Sequence, residues 1–375
     1  MSRRKIGTFL TVAALTFTAS SCGKSQASAP PAPMNLVTQT IHDYGRGHQP
    51  QLGPPPTSVP LETDLQYGAR INNLLVQEDF AELEKLARQY RVEKDRVVGG
   101  YWKNDTFYYA AYPSSFPSHS GPIQDSDYLA LIVRTKKWIT AYPDSATARI
   151  FLANIYTAYA DQARGTGFAD SVSDDQWKLF HQRTSQAKET LLEAATLQEK
   201  DAHWYTVMQM VAFQEGWDKT EARDLLDQAV AFQPGYYHFC RQYAQYLQPQ
   251  WYGESGDIQA FAEEISAKLP EPESSIVYFQ IVSSLSCYCR EHTDALPHAS
   301  WPKIKKGYIT LTHLYGNSNL IANRFSEMAF VFGDQNAAQD AFSVITRREP
   351  SVWLSEDAFQ SAKTWAKSSY SGLSP

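Results

Sequence analysis

The residues best suited to chemistry fall in a few short stretches of this 375-residue chain. Cys287, Cys289, His292 and His298 offer the thiolates and imidazoles that zinc and copper take as ligands. Their spacing argues against a site. At ~3.6 residues per turn, Cys287 and Cys289 point ~200° apart on a helix, and only Cys289 and His292 share a face. Ser185-Gln186-Ala187-Lys188 has the Ser-x-x-Lys form of a serine–lysine hydrolase, but it lies inside a helical pattern with no Lys-Thr-Gly partner. The chain has no Gly-x-Ser-x-Gly elbow, His-Glu-x-x-His pair, phosphate loop or dinucleotide fingerprint. No catalytic residue, metal or cofactor is therefore assigned.

Two further stretches are candidate ligand or partner surfaces. Arg164 precedes Gly165-Thr166-Gly167. It reads either as a cation held at a pocket mouth by Gly165 and Gly167, or as a helix stop. In the second case the arginine favours the helix dipole and glycine supplies the C-cap. Trp251-Tyr252-Gly253-Glu254 reads either as an aromatic platform with a carboxylate beside it, or as an inter-repeat loop whose rings fill a gap.

Cys22 has chemistry of another kind. Arg3-Arg4-Lys5, an apolar run from Ile6 to Ala19, and Ser20-Ser21 before Cys22-Gly23 make a secretory signal over residues 1–21. A cysteine directly after the small residues is the acceptor of a diacylglycerol in bacterial lipoproteins. Ala19 stands where leucine is usual, and the apolar run is too short for a membrane span of ~20 residues. Gly23-Lys24 lacks the aspartate that signals inner-membrane retention, which points to the outer membrane, with the chain facing the periplasm. Residues 22–60 hold eight prolines among Ser, Gln, Gly and His, and read as an extended tether.

Composition narrows the partners. Net charge is −6, and no basic run exceeds three residues beyond the signal, so nucleic acid is excluded as a partner. Of the four cysteines, Cys240, Cys287 and Cys289 remain after Cys22, an odd number that leaves their pairing open.

The elements that must position these residues are helical. From Leu61, Tyr67, Ile71, Leu74 and Leu75 recur at spacings of three and four, and the same periodicity returns at Tyr128, Leu131, Ile132 and Trp138. Residues 99–124, with three prolines and a Gly-Gly pair, read as a loop. Ala222, Leu226, Ala229 and Pro234 take offsets 0, 4, 7 and 12, as do Ala338, Phe342, Ile345 and Pro350. Ala187, Leu191 and Ala194 repeat the first three, 35 residues before Ala222. This pattern is similar to the second helix of tetratricopeptide repeats, whose period is about 34 residues. Small residues let paired helices approach, and a large apolar one fills the gap a turn on. Gly216-Trp217-Asp218, Gly256-Asp257 and Gly333-Asp334 supply turns and caps before helices. The expected fold is all-α: an irregular stack of antiparallel helix pairs over residues 61–370.

Three stretches carry a family resemblance. They are Ala163-Arg164-Gly165-Thr166-Gly167-Phe168-Ala169 with Trp177 and Phe180, the run Tyr246 to Asp257 with Phe261, and Asn323 to Ile345. With Trp204-Tyr205 and Gly216-Trp217-Asp218, they resemble the bacterial family catalogued as domain of unknown function 4034, over roughly residues 70–365. The resemblance implies an α-helical, repeat-like body and brings no activity. The expectation for function is an envelope-anchored module that binds a protein or peptide in a groove, with the membrane reached through the lipid. The alternative is a hydrolase-like envelope enzyme with its site near Arg164 and Trp251–Glu254. Replacing Cys22 with alanine should leave the signal uncleaved or release the protein. Membrane fractionation and gel mobility read this directly, and wild-type behaviour of Cys22→Ala would refute lipidation.

Overall fold

A computed structural model describes residues 34–50, 52–53, 56–113, 122–165, 169–249, 251–284 and 298–368. Among these residues there are sixteen α-helices and no β-strand. The chain divides into two compact units. The first comprises residues up to 53, 64–95 and 102–239; the second comprises 54–63, 96–101 and 240 onward. The segments of the two units interleave along the chain.

The first unit holds α1 (Met34–Tyr44), α2 (Asp64–Val76), α3 (Phe80–Glu93), α4 (Lys103–Tyr109), α5 (Asp125–Ala141), α6 (Ala146–Arg164), α7 (Asp174–Thr196), α8 (His203–Glu215) and α9 (Lys219–Phe232). Helices adjacent in sequence pack on one another, as in α2–α3, α5–α6, α6–α7 and α8–α9. The turns end in caps. Asp79, Ser145 and Ser173 each accept a hydrogen bond from the N–H three residues on. Asp218 accepts from Thr220 and Glu221 and completes a capping box with Glu221. Each cap is worth ~1 kcal/mol. The buried faces contribute more, since full burial of a leucine such as Leu191 or Leu226 is worth ~2 kcal/mol. Ala187 and Ala194 beside Leu191, and Ala222 and Ala229 beside Leu226, are buried as their offsets predict. The helix α8 is buried almost all round, with Trp204, Tyr205, Val207, Met208, Met210 and Val211 all inside.

Two expectations are corrected in this unit. The tether was expected to span residues 22–60, but Met34–Tyr44 is a helix. Its Tyr44 ring stacks on Trp204 at 4.1 Å, and the ring of His48 stacks on Phe232 at 3.9 Å. Val37, Ile41 and Tyr44 give this segment enough apolar surface to offset its ordering cost, despite its proline-rich surroundings. Residues 99–124 were expected to form a loop, but Lys103–Tyr109 is a helix with Phe107 and Tyr108 fully buried. Cys22 and the signal lie outside the described residues.

The helix α10 (His238–Tyr246) begins with two residues of the first unit and continues into the second. The second unit then holds α11 (Asp257–Ala267), α12 (Glu273–Val282), α13 (Trp301–Tyr315), α14 (Asn319–Val331), α15 (Gln335–Val344) and α16 (Glu356–Lys367). Packing again follows chain order: α11 on α12, α12 on α13, α14 on α15 and α15 on α16. The expected cap at Asp334 is present, accepting from Ala337. Ala338 and Phe342 are buried. Asn323 closes the return after α15 with all four of its amide bonds made. Its Nδ2 donates to the carbonyls of Asn319 and Arg347, and its Oδ1 accepts from the Glu349 N–H and from Trp353 Nε1. Among the described residues, no helix is long and apolar enough to cross a membrane.

Helices α12 and α13 approach closely at Gly307. A Cβ there would lie 2.3 Å from the Ser275 carbonyl oxygen and 2.6 Å from the Cβ of Phe279. Backbone cannot yield locally to such a clash, so α12 and α13 must separate. Gly307→Ala should therefore destabilise the protein by ~1–3 kcal/mol, the usual cost of overpacking, although alanine is the better helix former. Urea or thermal unfolding measures this. A stabilised variant would mean that the two helices do not cross at this glycine.

Candidate functional site

The structure places the sequence candidates in different units. Arg164 ends α6 in the first unit and Gly165 caps it with φ +75°. The guanidinium lies over the Trp177 ring at 5.6 Å and Nη1 donates to the Gly165 carbonyl at 3.3 Å. Burial lowers the Arg164 pKa, opposed by Asp161. Gly167 lies outside the described residues. Trp251-Tyr252-Gly253-Glu254 belongs to the second unit. Tyr252 stacks on Tyr246 at 4.4 Å. Gly253 sits against backbone so closely that a Cβ would fall 1.8 Å from the Leu247 carbonyl oxygen. The Glu254 N–H bonds Asp257, so this turn leads into α11. Capping thus accounts for Gly165, and close backbone packing for Gly253. Cys287, Cys289 and His292 lie outside the described residues, and Cys240 is buried.

The polar groups the structure does gather are elsewhere, in the first unit. The first is Asp201, in the turn between α7 and α8, with a fully buried side chain. Its Oδ1 accepts from Asn104 Nδ2 at 2.8 Å and from the His203 N–H at 2.8 Å. Its Oδ2 accepts from the Tyr108 hydroxyl at 2.8 Å and from Arg91 Nη1 at 3.0 Å. The main chain of Asp201 is held as well: Tyr44 Oη donates to its carbonyl at 3.0 Å and accepts from its N–H at 2.8 Å. Burial would raise this carboxyl. Arg91, Asn104 and the His203 N–H outweigh it and hold the group below the usual carboxylate range. Arg91 in turn pairs with Glu199 at 2.5 Å and donates to Thr147 Oγ1 at 2.7 Å.

Next to this knot lies a second carboxylate shared by two imidazoles. Asp105 is buried in α4, and its Oδ1 is 2.6 Å from Nδ1 of His238 and 3.6 Å from Nδ1 of His203. His203 Nδ1 also lies 2.9 Å from the Tyr236 hydroxyl, which burial keeps protonated. The two rings differ in their access to water. His203 is sealed, its Nε2 has no hydrogen-bond partner, and its ring stacks on Tyr108 at 4.2 Å. Burial depresses its pKa to about 4 against the opposing pull of Asp105. His238 keeps 13 % of its side chain exposed, and Tyr109 stacks on it at 5.7 Å. The sequence reading missed all of these groups. Asp105 falls in the stretch read as a loop. His203 and His238 are 35 residues apart with no motif between them, and no local pattern marks either one.

A third titratable group lies at the end of α6. Asp161 Oδ1 accepts from Gln214 Nε2 at 2.9 Å, while Oδ2 is sealed from solvent with no partner. Burial raises its carboxyl to about 7, opposed by the Gln214 bond and Arg164. In the second unit, an open recess is lined by Trp301, Phe332, Gly333, Asp334, Gln335 and Asn336. Its aromatic rings, Asp334 and Gln335 are already engaged. Trp301 stacks on both Phe325 and Phe332, and Asp334 accepts from Trp301, Lys305 and the Ala337 N–H. Among the described residues, no group of three or more His, Cys, Asp or Glu side chains could hold a metal ion. In the comparison with known proteins, no family model, curated protein or solved structure matches the chain.

Asp161 has a signed effect on stability. Its folded pKa lies above the unfolded value, so the folded state binds more protons between about pH 4 and pH 7, and stability falls as pH rises through that window. His203, depressed to about 4, acts oppositely: its stability is intact above about pH 6.5 and is lost as pH falls toward 4. Asp161→Asn removes the first effect and leaves the second. The variant's unfolding free energy should therefore rise more steeply from pH 4 to pH 7 than that of the wild type. The slopes should differ by up to about 1.4 kcal/mol per pH unit. Urea titrations across this range test it, and parallel pH profiles would refute the raised carboxyl.

Proposed function

We propose that this chain is a lipid-anchored cell-envelope protein that faces the periplasm and serves as a helical-repeat interaction module for a protein or peptide partner. What supports the reading is the outer side of α5. Its inner side buries Tyr128, Leu131, Ile132, Thr135 and Trp138. Its outer side exposes Leu129 and Val133, one turn apart, at 51 % and 58 %. Lys136 is exposed on the next turn. The caps and small-residue contacts do not require two large apolar residues in water here. An amphipathic partner segment with apolar and acidic residues would cover them and meet the lysine. Anchoring through Cys22 would concentrate the module at a membrane surface, where such partners are embedded or tethered.

Crosslinking the envelope and recovering the chain with its partner tests this. The double change Leu129→Asp with Val133→Asp should abolish recovery of that partner and leave the melting temperature within a few degrees, since both side chains face solvent. Recovery of the same partner by the double variant, or of none by the wild type, would count against the module.

A further inference from the structure

The carboxylate shared by His203 and His238 separates two imidazoles by their access to water. Both lie beside Asp105 Oδ1, at 3.6 Å and 2.6 Å. An ionised carboxylate only accepts, so Nδ1 of His238 donates to it, and this fixes the tautomer. The lone pair of the neutral ring is then on Nε2. Unlike Nε2 of His203, that of His238 is not sealed from solvent, and no hydrogen bond occupies it. Asp105 itself is 2 % exposed, so its charge is directed at the imidazole rather than screened by water. A buried carboxylate orienting a ring whose far nitrogen meets solvent is the arrangement by which histidine acts as a general base.

The surroundings hold this geometry. Trp102, immediately before α4, donates from Nε1 to the Gly235 carbonyl at 2.6 Å and ties the start of α4 to the chain just before His238. Asn104 and Tyr108, which flank Asp105, are both fixed to Asp201. His203 meets the His238 ring edge to face at 5.9 Å, and in its neutral state adds no competing positive charge beside it. On the accessible side, Tyr109 is 38 % exposed and stacked on His238. An exposed tyrosine ring stacked on the imidazole suits a planar, uncharged substrate that can lie against it.

We propose that Asp105 and His238 form a general-base dyad that hydrolyses uncharged esters carrying a planar group, with water as the second reactant. Nε2 of His238 takes a proton from water as the water oxygen bonds to the ester carbonyl carbon. The tetrahedral intermediate then expels the alcohol oxygen, the carbon–oxygen bond breaks, and the imidazolium returns its proton to the leaving oxygen. Ester and water become acid and alcohol, and the ring ends neutral. Asp105 is a positioning residue that holds the tautomer and stabilises the imidazolium.

The test uses the full chain in detergent with 4-nitrophenyl acetate and 4-nitrophenyl benzoate, following nitrophenolate release. The wild type should exceed free imidazole at equal concentration and favour the benzoate. His238→Gln should lower the rate on the order of 100-fold, the usual contribution of a general base. Asp105→Asn should lower it at least about tenfold and change the pH profile, which a merely structural role would not do. If His238→Gln does not fold, the wild type is treated with diethyl pyrocarbonate and modified residues are mapped by mass spectrometry. Loss of activity in step with modification of His238 supports the dyad. Turnover no faster than imidazole, a His238→Gln rate equal to the wild type, or activity that survives full modification of His238 overturns it.

Discussion

The first unit depends on one buried carboxylate. Asp201 collects bonds from α1, α3, α4 and the start of α8, so a single side chain and its main-chain groups join four helices. Taking a carboxylate out of water costs several kcal/mol unless every lone pair is met, and here four donors meet them. The same knot explains why α4, only seven residues long, is helical at all. Its residues Asn104 and Tyr108, one turn apart, both point at Asp201, and Phe107 seals the apolar side.

Around this knot the helices follow a plainer rule. Small residues allow close approach, a large apolar residue fills the space a turn later, and Asp or Ser caps the next helix. The rule is seen in α7 and α9 of the first unit and in α15 of the second. Where the approach is tightest the small residue must be glycine, because the neighbour is a backbone carbonyl rather than a side chain. Gly307 beside Ser275 and Gly253 beside Leu247 are both of this kind.

Electrostatics then divides the titratable groups by their hydration. Asp201 and Asp161 are both carboxylates, yet the first is held low by Arg91, Asn104 and the His203 N–H, while the second, with one bond and an unmet oxygen, is pushed up. His203 and His238 share one carboxylate, but only the second ring meets solvent. In each pair the residue type is the same and the environment decides the chemistry.

Much of the helical pattern was legible in the chain. Period-three-and-four apolar spacing, the caps at Asp218 and Asp334, and the 0, 4, 7 offsets of Ala222, Leu226 and Ala229 are local facts. Local facts determine local helices, because a cap and a buried stripe involve residues within a few turns. The helix at Met34–Tyr44 was hidden by flanking prolines, and its order comes from Tyr44 meeting Trp204 and Asp201, some 160 residues away. The candidate site was hidden for the same reason. Asp105, His203 and His238 lie in three separate segments, and none has a signature of its own. The sequence by itself determined helices, caps and the likeness of the paired units. Only the tertiary structure decided which carboxylate meets which imidazole and which ring nitrogen stays wet, because those depend on burial and distance between segments that no local spacing encodes.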